Sequence, residues 1–296
     1  MTIIGINKDL CIECGECVHE CPARLFNEKP MQETTGVINF SDPADSCIRC
    51  GHCIAVCPAN AMEFNADTDT FVVEGIEKPE SVAGYETIFA AAAIRRSIRR
   101  FRQNPVENMT IKKIFDILRL APSASNSRRW EYIVVTAPDI INTLRTATIN
   151  MMKKGRMLLR FRHILRPFLR GSLKRLATDA SVMALNKFMR RIENGEDPVF
   201  FNAPCLLILH SPAYANMAGP DAGIALTHAI LAAQGLGLGT CWIGFAQEML
   251  VRNSKERARL GIPSGRQVYG RLALGYPAVK YYRVPPRSPV EVRWLQ

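Results

Sequence analysis

The chain has 296 residues, 48% of them hydrophobic and 22% charged, which is enough apolar material to bury a sizeable core and fill two domains. Its first residues, MTIIGINKDL, lack the basic start, apolar run and small-residue cleavage site of a secretory signal. That sets the expectation of a cytoplasmic protein and argues against disulfides as the purpose of the ten cysteines. The net charge of +11 is concentrated in the middle: Met151 to Arg191 holds twelve basic residues and one acid, Asp179, whereas residues 1–80 sum to −9.

In chain order, the first chemistry-bearing element is CIECGECVHECP, Cys11 to Pro22, which returns as CIRCGHCIAVCP, Cys47 to Pro58. Both follow C-x2-C-x2-C-x3-C-P, the ligand spacing of bacterial iron–sulfur proteins. Three thiolates two residues apart can wrap one face of a cubane within a tight loop. The fourth, three residues on, opens a helix that carries it to the other cluster. On this reading Cys11, Cys14, Cys17 and Cys57 hold one [4Fe–4S] cluster, and Cys47, Cys50, Cys53 and Cys21 hold the second. Pro22 and Pro58 lack an amide donor and end each ligand loop, and Gly15 and Gly51 let the backbone fold close to the sulfides. Structural zinc is the alternative, but zinc takes four ligands in one tetrahedron, commonly from two separated CxxC pairs, and two complete runs ending in Cys-Pro fit that poorly. His19 and His52 lie inside runs whose ligand places are already filled by sulfur, and read as surface residues. Residues 1–63 resemble a bacterial two-cluster ferredoxin. The resemblance implies a small pseudo-symmetric βαβ-type domain that carries electrons one at a time at low potential.

Residues 64–85 are polar, acidic and turn-prone, as a linker is. From Tyr85 the pattern changes: ETIFAAAAIRRSIRRF reads as a helix and then a basic turn, and NMTIKKIFDILRLAP carries a helical apolar stripe with Pro122 as its stop. The turn RRSIRRF, Arg95 to Phe101, places guanidinium forks and a hydroxyl where they can clamp anionic oxygens, a phosphate or a flavin among them. APSASNSRRWEYIVV follows as a helix end, a small-polar loop and a strand led by Trp130. The stretch Ala222 to Ala246 carries no formal charge and is long enough to cross a bilayer. Its glycine-rich second half, with Thr227, His228 and Gln234 in the first, predicts instead a buried helix, a turn and a strand. Cys205 and Cys241 sit in apolar runs and read as small hydrophobes.

Five segments in this order (RRSIRRF, APSASNSRRW, DAGIALTHAILAAQGLGLGTCWIG, LALGYP and PPRSPVEV) resemble the FMN-dependent nitroreductase family over roughly residues 86–296. The resemblance implies an α+β sheet sandwiched by helices, and an obligate homodimer whose chains exchange terminal segments. It also implies an FMN in each of two clefts between subunits. Carried over residue by residue, it puts Arg95 and Arg99 near the FMN phosphate and pyrimidine edge, with Arg96 and Ser97 between them. Asn126 then hydrogen-bonds the ring, the backbone of Trp242, Ile243 and Gly244 lies against its N5 side, and Arg287 clasps the phosphate. The chain departs from the family at Arg128-Arg129, where Gln-Pro is usual, at Phe245, where glycine is usual, and at Pro285, where lysine often stands.

The expected fold class is thus α+β: an N-terminal ferredoxin-like 2[4Fe–4S] domain over 1–63, a linker over 64–85, and a nitroreductase-like α+β sandwich over 86–296. Residues 151–195 form a basic helical insertion within it. Three readings stand for its basic part, 151–191: a lid over the active site, a dock for an acidic partner, or a membrane-surface helix. No reading element with interleaved aromatics supports nucleic acid as a partner. The expected function is a ferredoxin-coupled flavin oxidoreductase, taking electrons from a low-potential donor through two [4Fe–4S] clusters to FMN and on to a small electrophilic substrate such as a nitroaromatic or quinone. The alternatives are an electron-transfer or redox-sensing module serving a protein partner, and a specialised flavin reductase such as a reductive dehalogenase. No catalytic side chain can be named from the sequence, and the fused ferredoxin argues that NAD(P)H is not the obligatory donor.

Overall fold

In the computed structural model the described residues are 1–28, 38–66, 71–165 and 178–295, and they fall into two compact units. The first comprises Met1–Val82 together with Ser123–Arg128, and the second Ala83–Pro122 with Arg129–Gln296.

The first unit is built from two similar halves. Strand β1 (Thr2–Ile6), helix α1 (Glu16–Glu20) and strand β2 (Phe26–Glu28) are followed by β3 (Ile38–Phe40), α2 (His52–Val56) and β4 (Met62–Asn65), with a short α3 (Pro79–Val82) beyond. β1 pairs antiparallel with β4 and β2 with β3, so each half lends a strand to the other. The backbone repeats as well: α1 starts on Gly15 at φ 76° and α2 on Gly51 at φ 77°, a left-handed conformation that favours glycine. Ile3, Cys17, Phe26, Ile38, Cys53 and Met62 form its core. A core this small is marginal without a metal or covalent staple, and two of its six members are cysteines of the ligand runs.

The second unit is a four-stranded antiparallel sheet in the order β5 (Glu131–Val135), β6 (Cys205–Pro212), β8 (Arg266–Gly275), β7 (Gly239–Trp242). All eight residues of β6 are buried, as a central strand covered on both faces requires. Alternation along β6 and β8 sorts the core into two halves. Leu206, Ile208 and Ala273 face Ile141 and Leu144 of α6 (Pro138–Leu159) and Met249 and Leu250 of a helix over Gly244–Arg252. Leu207, Leu209 and Leu272 face Ile114 and Leu118 of α5 (Asn108–Leu118), together with the alanine face, Ala222, Ala225, Ala229 and Ala233, of a helix over Ala218–Gly235. Helices therefore sandwich the sheet. The alanines let the second helix come close: a Cβ on Gly270 of β8 would lie 2.2 Å from Leu226 Cδ1. The expected buried helix, turn and strand are thus present, and among the described residues no helix is long and apolar enough to cross a membrane.

Around this frame, α4 (Tyr85–Ile94) precedes the basic turn, and α6 is followed by α7 (Arg162–Leu165) and α8 (Asp179–Glu193). The helices over Ala218–Gly235 and Gly244–Arg252 are α9 and α10, and α11 spans Ser254–Arg259. Helix α6 runs unbroken through Met151, so the basic segment begins inside it. The stretch around Pro167 and Gly171 lies outside the described residues. Thr178 caps α8 by accepting from Ser181 N, and Arg162 bonds Asp179 at 2.5 Å while Arg156 lies 3.9 Å from Glu193. Acids thus answer part of the basic charge. Beyond β8 the chain from Tyr281 to Leu295 is exposed.

Candidate functional site

The eight cysteines of the two runs line two separate chambers. Cys11, Cys14, Cys17 and Cys57 share one with Ile6, Ile38 and Met62. Cys21, Cys47, Cys50 and Cys53 share the other with Leu25, Phe26 and Phe40. The fourth cysteine of each run therefore sits with three from the other run. The two crossing sulfurs receive backbone N–H groups, Cys57 from Ala61 at 3.2 Å and Cys21 from Leu25 at 3.5 Å. Burial raises the Cys17 thiol pKa, opposed by its own backbone N–H, and the neighbouring Cys11, Cys14 and Cys57 raise it further. Burial likewise pushes Cys53 up to about 11. Such thiols hold their protons in the absence of a metal and release them to solvent when a metal centre takes the proton's place on sulfur. Among the described residues no three His, Cys, Asp or Glu side chains are arranged to hold a single metal ion. Four sulfurs walling an apolar chamber fit an iron–sulfide cluster, which is larger than one zinc. His19 and His52 are exposed, as expected.

Two residues that the sequence reading passed over shape the approach to each run. Asp42 accepts from Ser46 N at 2.7 Å, Ser46 Oγ at 3.0 Å and Cys47 N at 3.0 Å. Those bonds, the Ser46 amide first, hold its carboxyl below the usual carboxylate range. Asn7 accepts from Asp9 N and Leu10 N, and its carbonyl takes Cys11 N at 3.1 Å. The signal was an Asn or Asp four or five residues before the first cysteine, the position of an Asx turn.

Asn126 belongs to the first unit. Its amide nitrogen donates to Ile48 O at 3.0 Å and Arg49 O at 2.9 Å, while its Oδ1 accepts from Arg128 Nε at 2.9 Å. Ser123 Oγ takes Arg128 N at 3.0 Å and closes the loop, in which Ser125, Asn126 and Arg128 all have positive φ. Both ends of the Asn126 carboxamide are thereby engaged.

In the second unit the basic turn is stitched to β7. Ile98 N donates to Thr240 O at 2.9 Å, and Ser97 bridges to Thr240. The approach is close enough that a Cβ on Gly239 would lie 2.4 Å from Ile98 Cγ1. Burial raises the Cys241 thiol pKa, countered first by the charge of Arg99 and then by hydrogen bonds from Arg99 and Ser97. Cys241, read from sequence only as a small hydrophobe, therefore touches the basic turn. Trp242 follows, its Nε1 donating to Gln247 Oε1 at 3.1 Å, and Ile243 N donates to Arg271 O at 2.9 Å. Helix α10 then starts at Gly244 with no side-chain cap among the described residues, so its first amides lack an intrahelical partner. A Cβ on Gly244 would meet nothing within 4 Å. Arg96 turns back on its own chain, Nη1 donating to Ala93 O at 2.8 Å and Arg95 O at 2.6 Å, while Arg99 is exposed.

The structure thus gathers Ser97, Arg99, Trp242, Ile243 and Gly244, with Arg95 and Arg96 one step back at the end of α4. Arg287 stands in the exposed tail and makes no hydrogen bond or ion pair among the described residues. Phe188 of α8 packs on Phe245 of α10 with ring centroids 5.6 Å apart, bringing the basic segment's second helix to the start of α10.

The profile of the Nitroreductase family matches residues 92–276, and that of a 4Fe-4S dicluster domain matches residues 10–62. A NADH dehydrogenase of Thermus thermophilus is 29% identical over 195 residues, spanning 65% of this chain and 87% of its own. A nitroreductase with bound FMN from Desulfitobacterium hafniense superposes with a TM-score of 0.52 at 21% identity, over 70% of this chain and 97% of its own. A BluB-like flavoprotein from Clostridium difficile gives a TM-score of 0.53 at 18% identity, over 68% and 94%. At these identities the two structures speak to the fold, a nitroreductase-like α+β sandwich. With a profile match covering most of its length, the chain belongs to the nitroreductase family, as an oxidoreductase that carries a 4Fe-4S dicluster domain ahead of the family's own.

Proposed function

We propose that this protein is a flavin oxidoreductase coupled to its own ferredoxin unit, taking single electrons from a low-potential donor and reducing a small electrophilic substrate of the nitroaromatic or quinone kind. The observation that carries this reading is the sorting of eight cysteines into two crossed chambers of four, in a chain whose larger part is a nitroreductase domain. When bound, two [4Fe–4S] clusters would supply one-electron transfer, and FMN would supply the exchange between one- and two-electron chemistry.

The chain's own part is binding, orientation and charge. Cys11, Cys14, Cys17 and Cys57 are assigned to one cluster, and Cys21, Cys47, Cys50 and Cys53 to the other. Arg95, Arg96, Ser97 and Arg99 are assigned to the phosphate and pyrimidine edge of FMN, where guanidinium groups stabilise negative charge. Trp242, Ile243 and Gly244 line the ring, and the open amides of α10 add positive potential there. Arg287 clasps the phosphate from the tail. A ring contact by Asn126 requires its amide to leave Ile48 and Arg49. Exposed Tyr85, Ile88 and Phe89 on α4 and Trp294 in the tail support a homodimer. Phe188 and Phe245 would wall the substrate space and favour flat, apolar electrophiles. The assignment divides the chain into a ferredoxin domain over 1–63, a linker over 64–85 and the flavin domain over 86–296. Cluster thiolates need a reducing compartment, the cytoplasm. The Thermus thermophilus relative is named for NADH; here the cysteine unit offers a donor route of its own.

The test is anaerobic purification with iron, sulfide and FMN quantified, followed by dithionite titration under visible spectroscopy and a turnover assay with a nitroaromatic and a quinone. About eight irons and one FMN per chain, with substrate reduction, is the expected result. Full clusters without FMN would overturn the roles given to Arg95, Arg99 and Arg287. Full cofactors with no turnover, but rapid reduction of a protein partner, would make the protein an electron-transfer module.

A further inference from the structure

The two ligand loops of the first unit are near copies, and their differences all point one way. Ile12 and Ile48 hold the same place in the two runs, yet Ile12 is 65% exposed and Ile48 is half-buried. Cys14 is exposed and its counterpart Cys50 is not. Glu13 and Arg49 also correspond, at φ 54° and 55°, so one backbone shape carries an acid in the first loop and a base in the second. The second loop is engaged: Ile48 O and Arg49 O accept the Asn126 amide, and Arg49 lies 3.5 Å from Asp45. Among the described residues no hydrogen bond reaches the carbonyl of Ile12 or Glu13. Asn126 comes from Ser123–Arg128, a segment inside the stretch that the nitroreductase profile matches and continuous at both ends with the second unit.

Around the first loop lies a small apolar patch ringed by negative charge. Leu10 is 51% exposed beside Ile12. Asp9, Glu13 and Glu16 are exposed around them, with Lys8 the one exposed base in that stretch. We propose that the protein takes up electrons here: a single-electron carrier protein with a basic face docks over Leu10, Ile12 and Cys14, while the second loop is already engaged by Asn126 of the same unit. The inference rests on the reading of both cysteine chambers as cluster sites. The acids steer a cationic carrier and orient it, and the apolar centre excludes water where the electron crosses. A patch this small suits electron-transfer encounters, which bury little surface and release quickly. In the step itself the carrier would lose one electron to the centre that Cys11, Cys14, Cys17 and Cys57 would hold, and no proton or bond changes hands.

The probe is mitochondrial cytochrome c, a small lysine-rich carrier, used with the full-length protein purified anaerobically and its iron quantified. Carbodiimide couples carboxylates to lysines they touch, and mass spectrometry should find the conjugates at Asp9, Glu13 and Glu16. In stopped flow, dithionite-reduced protein passes an electron to oxidised cytochrome c across the same docking surface in the reverse sense; Glu13→Lys/Glu16→Lys should lower that second-order rate roughly tenfold and flatten its salt dependence, while Glu74→Lys/Glu80→Lys changes it less than about twofold. Arg49 already carries a base on the Glu13 backbone shape, so the first variant should fold. Conjugates at Glu63, Glu74 or Glu80 instead, equal slowing in both double variants, or coupling of Glu13 to lysines of a second copy would each overturn the inference while leaving the proposed function standing. Protein that binds no iron would overturn the proposed function, and this inference with it.

Discussion

Arg266 and His210 are joined across neighbouring strands of the nitroreductase-domain sheet: Nε of Arg266 donates to Nδ1 of His210 at 2.8 Å. The imidazole is 3% exposed, with Glu131 4.0 Å from its Nε2, and Arg266 Nη2 also donates to Arg129 O at 2.8 Å. An Nδ1 that accepts from a guanidinium must be unprotonated, which leaves the ring proton on Nε2. Burial first, and then the charge of Arg266, lowers the His210 pKa from 6.5, against a smaller opposing pull from Glu131. The unfolded histidine therefore takes up a proton at a pH where the folded one resists. Over the window just below 6.5 the unfolded state binds more protons, so stability is full above that pH and falls as pH drops through it. Melting temperatures recorded between roughly pH 5 and pH 8 should fall on the acid side, and His210→Asn, which keeps an acceptor near Nδ1 but cannot titrate, should flatten that slope. An unchanged slope would place the acid sensitivity elsewhere.

Gly239 decides whether the basic turn can lie on β7. A methyl group there would sit 2.4 Å from Ile98 Cγ1 and 2.8 Å from its Cβ, so Gly239→Ala must push the turn away. Overpacking of this kind costs about 1–3 kcal/mol. If Arg95, Ser97 and Arg99 hold FMN, flavin affinity should fall roughly tenfold or more in proportion to that strain. Adding Ile98→Ala makes room, so the double variant should recover part of the affinity. Flavin fluorescence titration reads both, and loss without any recovery would assign the effect to global destabilisation.

The parts of this site carried by local pattern were legible in the sequence. The cysteine spacing pointed to the same crossed grouping of four that the two chambers show. Helical apolar periodicity and Gly-rich turns gave α5, α9 and β7. What local pattern could not show was any partnership made through tertiary contact. Asn126 looks like a loop amide in sequence, and its acceptors, Ile48 O and Arg49 O, lie far back along the chain. Cys241 sits in an apolar run, and only the docking of the turn on β7 brings Ser97 and Arg99 to its thiol. The basic segment starts inside α6, because charge changes near Met151 while helix propensity does not, so α6 continues to Leu159.

Arg271 carries a cost inside the sheet. It is 0% exposed, none of its three guanidinium nitrogens has a hydrogen-bond partner among the described residues, and the Phe200 ring lies 5.6 Å away. Burial lowers its pKa to about 9. Replacing a buried charge with an apolar side chain of similar length removes the desolvation penalty, so Arg271→Met should stabilise the protein by about 1–4 kcal/mol in chemical denaturation. The wild type should close part of that gap as pH rises past 9, because the folded arginine then sheds its proton while the unfolded one keeps it. A destabilised Arg271→Met would mean that the guanidinium is satisfied by something the folded protein binds.

The crossing of the two cysteine runs gives the sharpest test of the cluster sites. Cys57 belongs by sequence to the second run but shares its chamber with Cys11, Cys14 and Cys17, and Cys21 does the reverse. If the chambers are the cluster sites, Cys57→Ser should resemble Cys11→Ser, and Cys21→Ser should resemble Cys53→Ser. Within each pair the same cluster is lost or altered, with about four of eight irons affected. Low-temperature electron paramagnetic resonance of the dithionite-reduced variants distinguishes the groupings, because two reduced clusters in one small unit broaden each other and the survivor alone gives a simpler spectrum. Pairing by run instead, with Cys57→Ser matching Cys47→Ser and Cys21→Ser matching Cys11→Ser, would mean that each run closes on its own metal centre, as two structural zinc sites would.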